Sequence, residues 1–137
     1  YGVYTWATEQ AMREIYLKAF EISVKEGQPY GVMTSLNRVG PDWSSANHAL
    51  VTDLLRNEWG FKGYVTSDAT TSATGGYTNV LETLVAGNDG ILSMFNTGGT
   101  TKTLKAGYAQ EPEYTTALMQ QAMHNICYMM LQTNAVK

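Results

Sequence analysis

Three times along the 137 residues a helical pattern gives way to a short apolar run. The runs recur at intervals of roughly thirty residues, too far apart to pair as hairpins. That spacing predicts strands joined through helices, hence parallel pairing with right-handed crossovers and an α/β fold. The first cycle spans Thr8 to Glu26, where Met12, Ile15, Tyr16, Ala19, Phe20 and Ser23 form the inward stripe of a helix, with Thr8 capping its start and Gly27 its end. Gly31 to Ser35, bounded by Pro29 and Gly40-Pro41, is the strand. In the second cycle Asn47 caps a helix to about Asn57 with Leu50, Leu54 and Leu55 on one face, Gly60 stops it, and Gly63 to Ser67 is the strand. The third has a helix from about Thr78 carrying Val80, Leu81, Leu84 and Val85, a stop at Gly87, and a strand from Gly90 to Met94. Asn96 to Gln110 is rich in Gly, Thr and Lys, and Glu111-Pro112 then opens a long helix with Leu118, Ala122, Ile126 and Met130 inward.

Three parallel strands cannot close a barrel and would leave unpaired edges, so the sequence predicts one partial domain over residues 1–137. Another polypeptide, or the remainder of a larger barrel, is expected to cover those edges. Tyr1 is followed by no basic leader pattern, which predicts a chain that starts within something longer. In a (β/α)8 barrel the functional groups stand after the carboxyl ends of the strands. Here those positions are Leu36-Asn37-Arg38, Asp68-Ala69-Thr70 and Phe95-Asn96-Thr97.

Composition removes several function classes. Lys+Arg 9 against Asp+Glu 12, with no basic run, gives nucleic acid no electrostatic footing. No apolar stretch reaches the length of a membrane span. The one cysteine, Cys127, excludes an internal disulfide and reads as a small buried hydrophobe on the last helix. His48 and His124 stand apart without ligands at metal-binding spacing, so no metal and no cofactor are expected. Charged residues at 15%, against a usual figure of about 25%, resemble an extracellular enzyme more than a cytosolic one.

Asp68 is the informative residue, because it follows an apolar strand where such a strand opens into a cleft. A carboxylate there can act as nucleophile, base or metal ligand, or it can cap the following turn. Asn37 and Arg38 occupy the equivalent place after the first strand, where they can bond a polyhydroxylated ligand or satisfy loop carbonyls. Asp89 precedes a strand, at the face of a barrel associated with stability.

Gly31-Val-Met-Thr-Ser-Leu-Asn-Arg-Val39, Leu54-Leu-Arg-Asn-Glu-Trp-Gly-Phe-Lys-Gly-Tyr-Val-Thr-Ser-Asp68 and Leu84-Val-Ala-Gly-Asn-Asp89 closely resemble the barrel domain of glycoside hydrolase family 3, the β-glucosidase family. Glu9 to Phe20 and Asn125 to Ala135 resemble it too. The resemblance implies the C-terminal portion of a (β/α)8 barrel, about three parallel βα units plus a C-terminal helix. It implies a retaining β-glycosidase acting on a carbohydrate substrate by double displacement, with Asp68 as nucleophile and with Asn37, Arg38, Ser67 and Ala69 near the sugar. The alternative is a non-catalytic partial barrel serving carbohydrate binding or assembly. The acid/base Glu and the remaining sugar-holding residues would lie outside this chain, so the isolated 137 residues are expected to be inactive. Leu36 stands where members often carry Tyr, and Ala69 where they often carry Trp or Tyr.

Overall fold

The computed structural model describes residues 3–70, 78–94 and 97–134 and shows a mixed α/β chain. After β1 (Tyr4–Thr5) the Thr8 hydroxyl accepts from Ala11 N at 3.2 Å and starts α1 (Glu9–Ala11). A wide turn, Met12–Tyr16, leads into α2 (Lys18–Gly27). The helix ends one residue later than its glycine predicts: Gln28 takes the left-handed conformation at φ 47° while Gly27 stays helical. The stripe expected to face inward is largely uncovered, with only Val24 of α2 buried. Met12, Tyr16, Phe20 and Ser23 instead line a cleft of about 580 Å³ between this helix and the next strand. The periodicity is therefore present, and the surface that would cover it is not among the described residues.

β2 (Gly31–Met33) and β5 (Tyr64–Thr66) pair in parallel as the sequence predicts, with Gly31 opposite Tyr64 and Met33 opposite Thr66. Between them lies an element that the spacing argument missed. β3 (Arg38–Val39) and β4 (Asp42–Trp43) form a hairpin around Gly40-Pro41, and β1 joins it in parallel through Tyr4 and Arg38. A single turn, Ser44–Ala46, follows, and Asn47 Oδ1 accepts from Leu50 N at 3.0 Å ahead of a wide helix, Ala49–Glu58. That helix buries Val51, Leu54 and Leu55. Val51 and Leu55 pack with Val24, Phe61 and Val65 to make the main apolar cluster.

The expected third strand is only sketched. Gly90 and Ser93 bridge in parallel to Thr66 and Thr70, but no continuous ladder forms among the described residues. One cause is visible: Leu92 N donates to the Ser67 hydroxyl at 3.1 Å, so a side chain takes the place of a ladder carbonyl. Among the described residues, five short strands in two sheets give an α/β chain without defining a barrel arc.

Asn79 Oδ1 caps α3 (Val80–Val85) by accepting from Leu81 N and Glu82 N. Thr97–Gln110, where no helix was expected, forms α4 despite its threonines and glycines. Packing overrides propensity here. α4 sits against α3 and α5 (Pro112–Gln132), and Gly107 is buried where a Cβ would come within 3.1 Å of Leu81. On α5 the inward residues are Thr115, Ala122 and Asn125, while Met130 and Cys127 are exposed, which corrects both expectations. Asn125 Nδ2 donates to Asp89 Oδ1 at 2.8 Å, so the face carrying Asn125, not Cys127, turns inward.

Candidate functional site

Because β2 and β5 are adjacent and in register, the chain segments leaving them at Thr34 and Ser67 start side by side, with Thr34 N donating to Thr66 O at 3.0 Å. Asp68 stands there half-buried. Its Oδ1 accepts from Ala69 N at 2.6 Å, and among the described residues Oδ2 carries no hydrogen bond. Ser67, one residue earlier, is fully buried, and its hydroxyl donates to Asp68 O at 2.8 Å while accepting from Leu92 N. Ser67 therefore supports Asp68 from beneath. Ala69 presents its amide to the carboxylate, and its side chain is only a methyl group.

The other two expected residues are drawn toward β1. Asn37 Nδ2 donates to Thr5 Oγ1 at 3.1 Å, and its Oδ1 accepts from Ser35 Oγ at 2.5 Å. The Arg38 guanidinium lies 4.5 Å from the centroid of the Tyr4 ring and donates to its hydroxyl. Asn37 follows β2 and Arg38 opens β3 in the other sheet, and both are oriented by a strand that sequence spacing did not reveal. The segment Phe95-Asn96 lies outside the described residues.

Beneath this edge lies a buried polar layer that the sequence reading did not single out. Thr34 Oγ1 and Ser45 Oγ are 2.6 Å apart, and Asn88 Nδ2 donates to Ser45 O at 2.6 Å and Thr83 O at 3.0 Å. The layer ties the turn after β4 to the start of the Gly90 segment. Its signal in the sequence was Asn88 itself, a polar residue in the helix-to-strand turn just ahead of Asp89.

At the opposite, amino end of β5 sits a buried ion pair. Arg56 NH2 meets Asp89 Oδ2 at 2.7 Å with both side chains largely buried. Burial pushes the Asp89 carboxyl above its ordinary value near 3.8, while bonds from Val65 N, Asn125 and Arg56 offset part of that rise. A raised folded value favours the protonated form on folding. Its contribution is fully present below the unfolded value and is lost as pH rises through the folded one. Denaturant unfolding followed from pH 4 upward should accordingly show the parent losing stability relative to Asp89→Asn. A parent that gains on the variant across that window would contradict the direction.

Among the described residues, two cavities are lined without Asp68. The apolar cleft described above lies beneath α2, and a second of about 690 Å³ lies at the amino end near Arg56 and Asn125. Among the described residues no three His, Cys, Asp or Glu side chains converge to hold a metal ion, and no helix is long and apolar enough to cross a membrane.

Residues 2–127 match the glycosyl hydrolase family 3 N-terminal domain, and the chain belongs to that family. It is 48% identical over 82 residues to beta-glucosidase B of Emericella nidulans, covering 60% of this chain and 9% of that protein. It is 54% identical over 59 residues to an exo-alpha-(1->6)-L-arabinopyranosidase of Bifidobacterium breve, covering 43% of this chain and 8% of that one. In structure it is similar to beta-glucosidase 3B from Thermotoga neapolitana, with a TM-score of 0.82, 31% identity, and coverage of 95% of this chain and 18% of that one. The chain thus spans less than a tenth of these curated relatives and less than a fifth of the solved structure.

Proposed function

We propose that this chain is the nucleophile-bearing part of a retaining glycosidase acting on β-linked glycosides, forming the C-terminal part of a (β/α)8 barrel domain within a longer protein. The observation that carries the reading is Asp68 at the carboxyl edge of a parallel strand pair, in a chain whose relatives carry β-glucosidase names. In a double displacement one carboxylate attacks the anomeric carbon while a second carboxyl group, roughly 5 Å away, protonates the leaving oxygen. Oδ2 of Asp68 would make the bond to carbon, and the Ala69 amide would hold Oδ1 and fix the plane of attack. The leaving alcohol departs with the proton from the acid, and water then attacks the glycosyl ester, returning the carboxylate.

Asn37, Arg38 and Ala69 would shape the wall around the sugar, with Ser67 supporting the nucleophile from below. Leu36 removes a phenol that would hydrogen-bond the carboxylate, and Ala69 removes an aromatic surface for the sugar.

A 2-fluoro glycoside with a good leaving group tests the reading, because it slows breakdown of the ester more than its formation. Incubation with the complete enzyme should add one fluoroglycosyl mass to the peptide containing Asp68. An adduct mapped to any other peptide would refute the assignment.

A further inference from the structure

The Asp89 side chain is 2% exposed and surrounded by donors: Val65 N and Arg56 NH2 reach Oδ2 at 2.8 and 2.7 Å, and Asn125 Nδ2 reaches Oδ1 at 2.8 Å. The same guanidinium donates to Gly87 O at 2.8 Å and to Gly63 O at 3.1 Å, joining the approach to β5 with the approach to Asp89. The backbone completes the grip, since Asp89 N and Gly90 N both donate to Val65 O. From that point two segments run side by side: Ser67 N bonds Gly90 O at 3.0 Å, and Thr70 N bonds Leu92 O at 2.8 Å. Gly90 favours this alignment. A Cβ at that place would collide with the Tyr64 hydroxyl, so a one-residue slip that brought Asp89 or Ile91 there would have to displace the Tyr64 side chain.

We infer that Arg56, Asp89 and Asn125 form a positioning clamp that, by fixing Val65 against Gly90, sets the depth at which Asp68 stands at the strand end three residues on. This rests on Asp68 being the attacking carboxylate. A buried ion pair often adds little stability over an apolar replacement, and fixing register is its best-attested use. The geometry here has that form: every acceptor lone pair in use at Asp89 is met by a group from a different segment, namely β5, the wide helix and α5.

The test uses the complete enzyme as parent and as Asp68→Asn, Asp89→Asn, Arg56→Lys and Val24→Ala, the last a core truncation on α2 away from the clamp. Asp89→Asn and Arg56→Lys should lower kcat about 10²-fold while KM stays within about threefold, the pattern of a displaced reacting group. They should also speed hydrogen exchange at the Ser67 and Thr70 amides. Val24→Ala should lower Tm while leaving kcat within about threefold. If Asp89→Asn does not fold, Arg56→Lys decides alone, since it keeps the charge and loses the fork. The clamp is refuted if its variants match Val24→Ala in kcat at equal loss of Tm, or if both amides exchange at parental rates. An Asp68→Asn variant with the parent's rate would refute the nucleophile instead, and the exchange measurements would still decide the register.

Discussion

Asp68→Ala in the complete enzyme is expected to cut kcat by at least about 10³-fold, roughly 4 kcal/mol of barrier. The size follows from what the carboxylate would do. It supplies the electron pair for the first displacement, and no neighbouring group among the described residues is set to replace it, since Ser67 is buried with its hydroxyl engaged and Ala69 brings only an amide. The loss should fall on the glycosylation step, so substrates with better leaving groups will not recover the parental rate. A small anion gives a sharper readout. Azide entering the space of the missing carboxylate attacks from the nucleophile's face and should yield a glycosyl azide of inverted configuration, restoring part of the rate. Retention in that product, or a rate within about tenfold of the parent, a cost of only about 1.4 kcal/mol, would remove Asp68 from the mechanism.

How the chain came to be readable depends on where its information is local. The parallel pair β2 and β5 was legible because apolar runs bounded by Pro29, Gly40-Pro41 and Gly60 leave few other solutions. The caps at Thr8 and Asn47 follow from side chains acting on amides three residues away. The misses all depend on distant contacts. The β3–β4 hairpin is two residues per strand and is held by β1, more than thirty positions earlier. α4 forms from a segment of weak helix formers because α3 and α5 flank it. Cys127 and Met130 were read inward from a period of 3.6, but Asn125 reaches Asp89 across 36 positions and turns the helix face. At the site, Asp68 could be singled out from its strand alone. The orientation of Asn37 and Arg38 by Thr5 and Tyr4, and the support of Asp68 by Leu92 through Ser67, need the fold.

The isolated 137-residue chain is expected to show no hydrolysis of nitrophenyl β-glycosides above background, and to self-associate unless the rest of the protein is supplied. Two independent arguments lead there. Retention needs a second carboxyl group near the first, and the candidate loop or helix donors within the chain are Glu82, in the first turn of α3, and Glu111, just before α5. Glu82 is exposed at the start of a helix whose cap, Asn79, already fixes that turn, which leaves the side chain directed by solvent rather than by the site. The second argument is surface. Tyr16 and Phe20 are 60% and 59% exposed, Met33 on β2 is 59% exposed, and the cleft between them is apolar, so the chain carries an uncovered face of the kind that drives association. β2 also has β5 as its one partner among the described strands, which leaves a parallel edge open to another strand. Sedimentation should therefore show dimers or larger species for the chain alone. Co-expression with the remainder of the protein should shift it into one complex and restore turnover that disappears in Asp68→Asn. A stable monomer that hydrolyses the substrate by itself would overturn both arguments at once, and Glu82→Gln would then be the variant that shows whether the acid had been inside the chain all along.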